Sequence, residues 1–277
     1  MTSTLSLRST VKLLDGNAMP VLGLGVALNE DPAPAVLAAL KHGYRQIDSA
    51  RHYKNEAPLG KAIRESGVPR DQVFVTSKVF ESEHGYEATL QAVQDSLHNF
   101  GFDYLDLFLI HSPRSGKAKR LETYKALLHA KKAGKLKSIG VSNYSPKHIE
   151  EIREAGLELP AVNQIELHPF CQQQPIVDYC RAHNIAVQAF SPLVRGKLDD
   201  PAITSTSTKY AKTPAQIVLR WSLQRGFVPL PKSANSVRVV ANAQVFDFEI
   251  AQEDMERLDA LDRGKAGAIT WNPVDAE

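Results

Sequence analysis

Several apolar runs in this chain close on a residue that can do chemistry, at the same end each time. The run through Ile47 closes on Asp48, the run from Val73 on Lys78, and the run from Leu105 on His111. Later runs close on Asn143, on Gln164 and Glu166, on Phe190 and Ser191, and on Lys232 and Ser233. Tyr53 stands in the loop just after Asp48. An acid, a phenol, an amine and an imidazole gathered at one place could hold and move a proton, as general acid–base catalysis requires. Singly, each has a plainer reading. Lys78 could be an ordinary strand-end lysine, His111 a backbone-bonded histidine, Asp48 a cap on the turn into Asn55, and Tyr53 a surface aromatic. Their recurrence at one end of successive runs is what packing alone does not explain.

The elements that must position them alternate regularly. Residues 11–14 and 18–21, joined by Asp15-Gly16-Asn17, read as a hairpin. Strands are predicted over 21–25, 45–50, 73–79, 105–111, 138–143, 161–167, 186–192 and 227–233. Helices are predicted over 32–42, 55–66, 86–100, 121–133, 146–155, 175–183, 214–225, 237–243 and about 252–261. Thr213-Pro214-Ala215-Gln216 combines an N-cap, a first-turn proline and a capping-box glutamine. Ser145-Pro146 opens a helix in the same way, and Gly134, Gly156 and Gly226 stand where helices should stop. Eight strand–helix units without a linker or repeat predict a (β/α)8 barrel, a TIM barrel with a short N-terminal β-hairpin, as one domain over residues 1–277. The rival, an open doubly wound sheet, wants Gly-x-Gly-x-x-Gly after a strand, and Gly23-Leu-Gly25 lacks the third glycine. Barrel sites lie at the C-terminal ends of the strands, where these residues fall.

Composition narrows the function classes. Hydrophobic residues make up 43% and charged residues 23% of 277, the balance of a globular chain. Lys plus Arg is 33 against 31 for Asp plus Glu, a net charge of +2, which argues against a nucleic-acid binder. No apolar run approaches the roughly 18 residues of a membrane span. Residues 1–10 are polar and lack the apolar segment of a signal peptide. Cys171 and Cys180, with no Cys-x-x-Cys, read as reduced thiols. A cytoplasmic address without membrane or nucleic-acid partners is the expectation.

Over most of its length the chain resembles the aldo-keto reductase family. The resemblance is carried by Asp48-Ser-Ala-Arg-His-Tyr53-Lys-Asn-Glu56, Thr76-Ser-Lys78 and Leu109-Ile-His111. Ile139-Gly-Val-Ser142-Asn143, Asn163-Gln164 and Pro231-Lys232-Ser233 extend it, from about Val11 to Ile269-Thr-Trp-Asn-Pro273. It implies a barrel that reduces aldehydes and ketones with NADPH, with NADP+ as product. Asp48, Tyr53, Lys78 and His111 are then the catalytic residues. A carbonyl that accepts hydride becomes an alkoxide and needs a proton, which Tyr53 is expected to donate. Lys78 is expected to lower the phenol's pKa, Asp48 to hold the ammonium, and His111 to donate to the carbonyl oxygen.

The same resemblance assigns the cofactor side. Ser142, Asn143 and Gln164 are expected at the nicotinamide carboxamide and Phe190 on its ring. Ser191, Pro192 and Leu193 begin the loop near the pyrophosphate, where Arg195 and Lys197 add charge. Lys232, Ser233 and Arg238 are expected at the adenosine 2′-phosphate and Asn242 at adenine, which favours NADPH over NADH. The chain also departs from the pattern. Phe190 stands for a frequent tyrosine and Ala241 for a glutamate, while Val26-Ala27 and Phe80 replace pocket tryptophans. With a short stretch after His111, an open, tolerant pocket walled by Val26, Phe80 and His111 is expected, in a monomer. A regulatory nucleotide-binding module is the alternative of another class, disfavoured because all four catalytic positions are filled. A hydrolase is a third. It would want His-x-His metal ligands, which are absent, so no metal is expected, or a second strand-end carboxylate, for which Glu166 is the obvious candidate.

Overall fold

The computed structural model describes residues 5–277, so residues 1–4 of the polar N-terminal stretch lie outside it. Asp15-Gly16-Asn17 turns the chain as predicted. Gly16 has φ +89° and the Asp15 carboxylate accepts from the Asn17 N–H at 3.2 Å. The turn joins β1 (Thr10–Lys12) to β2 (Ala18–Pro20) in antiparallel register. Leu13 and Met19, 2% and 0% exposed, pack against Phe74, Leu107, Leu109, Val162 and Val228. A hairpin too small to stand alone in water thus becomes the plug of an apolar interior.

Eight parallel strands follow in one unbroken order. They are β3 (Leu24–Gly25), β4 (Gln46–Asp48), β5 (Phe74–Val79), β6 (Leu105–Ile110), β7 (Leu136–Ser142), β8 (Val162–Glu166), β9 (Ala186–Phe190) and β10 (Val228–Pro229). A parallel bridge between Gly25 and Lys232 brings the last strand to the first. Gly23 N–H donates to the Pro229 carbonyl at 3.2 Å and Gly25 N–H to the Pro231 carbonyl at 3.1 Å. The sheet closes into the expected (β/α)8 barrel. Its seam is shorter than predicted, because Pro229 and Pro231 have no N–H to give and the regular ladder of β10 stops after two residues. Space is short there: a Cβ on Gly23 would stand 2.7 Å from the Leu230 side chain, which would have to shift.

The helices are α1 (Ala33–Lys41), α2 (Glu56–Glu65), α3 (Tyr86–Phe100), α4 (Lys117–Lys132), α5 (Pro146–Glu154), α6 (Gln174–Ala182), α7 (Pro201–Tyr210), α8 (Pro214–Gln224), α9 (Ser236–Asn242) and α10 (Gln252–Asp259). The Thr213 capping box forms, with Gln216 N–H donating to Thr213 Oγ1 at 3.3 Å and Thr213 N–H to Gln216 Oε1 at 2.9 Å. Two helices differ from the prediction. Helix α4 starts at Lys117 rather than Leu121, since its charged first turn carries no apolar period and is set by Gly116 at φ +81°. Helix α7 was not predicted, because Ile203-Thr-Ser-Thr-Ser-Thr208 is poor helix sequence. Asp200 caps it through the Ala202 N–H at 2.9 Å, and the Thr206 hydroxyl donates back to the Ala202 carbonyl at 2.7 Å. No helix is long and apolar enough to cross a membrane among the described residues.

Helix α2 rests directly on the end of α3. A Cβ on Gly60 would stand 2.1 Å from the Phe100 carbonyl oxygen. Gly60→Ala must push the helices apart and should lower unfolding free energy by about 1–3 kcal/mol, the usual overpacking range. Urea titration of the variant beside the parent checks this.

Candidate active site

Strand parity decides which side chains enter the barrel. Phe74, Leu109, Val162 and Val228 face the plugged interior. Lys78, His111, Gln164 and Lys232 lie an even number of residues further along the same strands and so face the open mouth. There Lys78 Nζ donates to Asp48 Oδ1 at 2.5 Å and to the Ser49 carbonyl at 2.8 Å. Gln164 Nε2 donates to the other Asp48 oxygen at 2.8 Å and to Gln188 Oε1 at 2.9 Å. Tyr53 stands at the end of a single 3-10 turn, its ring centroid 5.5 Å from Lys78 Nζ and 5.8 Å from the His111 ring. The structure brings together all four residues expected to be catalytic.

Their protonation differs from the sequence expectation at one point. Lys78 was expected to lower the Tyr53 pKa, but burial, with the Asp48 charge, raises it above the ordinary phenol value. The largest cause is burial, which disfavours the charged phenolate, and Asp48 adds to it. Burial also pulls the Lys78 ammonium down, against the opposing pull of Asp48. His111 is pushed well below the usual histidine value by burial, then by Lys78, His52 and His84. It is a neutral imidazole throughout the neutral range.

The loop bearing Tyr53 is fixed by residues that sequence reading quoted but gave no task. Asn55 Nδ2 donates to the Val26 and Asn29 carbonyls, at 3.0 and 3.1 Å, while Ser49 Oγ donates to Asn55 Oδ1 at 2.6 Å. Glu56, 3% exposed, accepts from Ser77 and Ser96 hydroxyls and the Asn99 amide. Arg51 pairs with Glu83 and Asp95. The run from Asp48 to Glu56 thus alternates groups that meet the cavity with groups that brace the turn.

A cavity of about 480 Å³ opens over these residues. Asp48, Tyr53, Phe80, His111, Ser142, Asn143, Gln164, Phe190, Ser191, Arg195 and Lys232 line it, as expected. Asn143 donates through Nδ2 to the His111 carbonyl and to Ser142 Oγ, both at 3.1 Å, which leaves its buried Oδ1 without a partner. Gln164 has both Nε2 hydrogens engaged and only its carbonyl oxygen to offer. Two acceptors side by side suit the NH₂ of a carboxamide. Val26 is a correction: it lies 1% exposed in the outer core, and Ala27 and Leu28 line the cavity in its place, because the chain leaves the strand at Gly25 and side-chain parity shifts. Pro192, Leu193, Ser233, Arg238 and Asn242 fall outside the cavity lining. Ser233 closes a turn with Asn235, whose carboxamide caps α9 where Arg238 stands exposed; Asn242 is buried at the other end of that helix. Lys197 lines a separate hollow beside Arg263.

His52, Arg114, Thr270 and Trp271 also line the cavity and were missed. His52 stacks on Phe80 at 4.2 Å and lies inside the run from Asp48 to Glu56, where no spacing distinguishes it from its neighbours. Arg114, Thr270 and Trp271 lie in loops without periodic signal. Glu166, the hydrolase candidate, is fully buried and holds that last loop. Its carboxylate accepts from Ile269 N–H at 2.6 Å, Thr270 N–H at 3.1 Å, the Thr270 hydroxyl, and His168 Nε2 at 2.9 Å. Neither oxygen is left for a glycosidic bond. Among the described residues no group of acidic, His or Cys side chains could hold a metal.

Comparison with known proteins agrees with this fold. A family model described as the aldo/keto reductase family matches residues 24–263. A glyoxal reductase of Bacillus subtilis is 47% identical over 93% of this chain and 94% of its own. An aldo-keto reductase from a Medee basin deep-sea metagenome superposes with a TM-score of 0.93 at 39% identity, covering 97% of this chain and 100% of that one. The Bombyx mori aldo-keto reductase, solved in complex with NADP, gives a TM-score of 0.88 at 33% identity over 94% of each chain.

Two predictions follow from the charges. Unfolded, His111 takes a proton below about pH 6.5, whereas folded it does not until well below that, so stability falls with pH there by up to about 1.4 kcal/mol per unit. His111→Gln should flatten that acid-side slope in denaturation curves. Glu166→Gln replaces an acceptor by a donor facing N–H groups and should cost about 1–3 kcal/mol. Acrylamide quenching should then rise at Trp271, since Trp221 is buried.

Proposed function

This chain belongs to the aldo/keto reductase family, and we propose that it reduces aldehyde or ketone carbonyls to alcohols with Tyr53 as proton donor. Coarsely it is an NADP(H)-dependent oxidoreductase; the carbonyl direction and the residue roles are our reading. The observation that carries them is the buried Asp48–Lys78–Gln164 group with Tyr53 and His111 over one cavity. The orphaned Asn143 Oδ1 and the free Gln164 oxygen fit the carboxamide of a nicotinamide, and the half-buried Phe190 ring fits its face. Ser142 would hold Asn143 in place, its own hydroxyl donating to the Gln164 carbonyl at 2.8 Å. When bound, the reduced nicotinamide supplies the hydride.

The protein side of the chemistry concerns one oxygen. A raised pKa keeps Tyr53 a phenol across the neutral range, so a proton is always present to meet the developing alkoxide. Neutral His111 can donate an N–H to the same oxygen without becoming a competing acid. Lys78, with Nζ 5.5 Å from the ring centroid, would stabilise the negative charge that a departing proton leaves on the Tyr53 phenolate. Arg195 and Lys232 at the cavity, with Pro192, Leu193 and Ser233 shaping their loops, would meet phosphate. Arg238 and Asn242 on α9 would meet the adenosine end, with the guanidinium selecting a 2′-phosphate. We read residues 1–277 as one domain acting as a cytosolic monomer, in keeping with its near-neutral charge and two buried free thiols.

Tyr53→Phe should lower kcat for a simple aldehyde by about 10²–10⁴-fold while NADPH affinity changes less than about twofold. Arg238→Ala should raise the KM for NADPH by about tenfold and leave that for NADH unchanged, consistent with one charge-assisted bond. Steady-state rates with both cofactors read both outcomes, and near-normal turnover in the phenylalanine variant would remove Tyr53 from its role.

A further inference from the structure

We propose that this pocket takes carbonyl compounds that also bear a carboxylate, and that Arg114 recognises the carboxylate. The proposal rests on the reductase reading above and names its substrate class. Arg114 lines the same cavity as Tyr53 and His111, with its guanidinium carbon 5.9 Å from the centroid of the Trp271 ring. Among the described residues its guanidinium makes no ion pair and no hydrogen bond. Its backbone, by contrast, is held firmly. Ser112 Oγ accepts from the Arg114 N–H at 3.2 Å, and the carbonyl of buried Pro113 accepts from Arg120 at 2.6 Å. Arg120 is itself buried against Glu151 at 2.7 Å. The free head group therefore starts from a fixed perch.

The other cations of the cavity already have work. Lys78 is tied to Asp48, while Arg195 and Lys232 lie on the loops proposed for phosphate. Arg114 alone has no assignment, and it sits on the aldehyde side of the site with Phe80, His111 and Trp271. A planar guanidinium beside an indole offers a paired set of donors and a hydrophobic surface, the combination that grips a carboxylate on a short hydrocarbon. Leu28, 86% exposed, and Ala27 provide further apolar wall for that hydrocarbon. The remaining acid of the cavity is Glu81, with one buried oxygen lacking a partner. It repels a carboxylate from the Phe80 loop, so the anion belongs at the Arg114–Trp271 wall.

The test uses the full chain with NADPH and a matched pair, 4-carboxybenzaldehyde and its methyl ester. Arg114→Gln should lower kcat/KM for the acid by about tenfold or more, as expected for a charge-assisted hydrogen bond, and that for the ester by less than about twofold. Arg114→Lys, which keeps the charge but loses the fork, should fall between. Salt at about 0.5 M should narrow the acid-to-ester ratio of the parent by screening and leave that of Arg114→Gln unchanged. Equal loss for both substrates, or no loss for either, overturns the assignment while leaving the reductase reading in place. If the parent reduces neither substrate, the reductase reading falls and this proposal with it.

Discussion

The buried ion pair between Asp48 and Lys78 is the constraint around which the barrel mouth is arranged. Removing two charges from water costs several kcal/mol per ion, so such a pair persists only when its remaining protons and lone pairs are satisfied. Here the Ser49 carbonyl takes a second ammonium proton and Gln164 bonds the second carboxylate oxygen. Gln164 is in turn bound to Gln188, and Gln188 Nε2 lies 3.2 Å from the sulfur of Met19 on the hairpin. A polar chain thus runs from the mouth to the plug, beside Leu107, Leu109, Phe74, Val162 and Val228.

That framework also holds a strained rim. Among the described residues nine non-glycine positions have positive φ, and four of them line the cavity: Leu28, Asn143, Ser191 and Arg195. Such conformations cost on the order of 1–3 kcal/mol each and last only where surrounding bonds over-determine them. Asn143 shows how: its N–H reaches the Gln164 carbonyl at 2.9 Å while its amide bridges His111 and Ser142. The left-handed backbone leaves its Oδ1 as the unpartnered atom of the group. Strain and the orphaned acceptor are one feature seen twice.

What the sequence made legible follows from these forces. Buried parallel strands must be apolar until they end, so a polar residue after each run marked the mouth, and Asp48, Lys78, His111 and Gln164 could be read directly. Cap chemistry is local, so Thr213 and Ser145 were equally readable. Helix α7 was not, because its stability comes from Asp200 and from Lys209 and Tyr210 bonding Asp254 on α10. Val26 was misplaced by a single step of parity, which no run of two strand residues could have fixed. The C-terminal wall depends on Glu166, and nothing local in Ile269-Thr270-Trp271 announces a partner about a hundred residues earlier.

Pairing separates the charges that serve the fold from those that face a ligand. Lys78, Arg51 and Arg120 are each matched with an acid and lie wholly or largely out of water. Arg114, Arg195 and Lys232 line the cavity with no acid partner among the described residues. Tyr53, beside the first of these pairs, is governed by burial and then by the Asp48 charge, both of which disfavour its phenolate. Unpaired rim cations project a field into the opening, where low-dielectric walls focus it on an incoming anion. The net charge of +2 does not show this asymmetry, since it sums paired and unpaired groups alike.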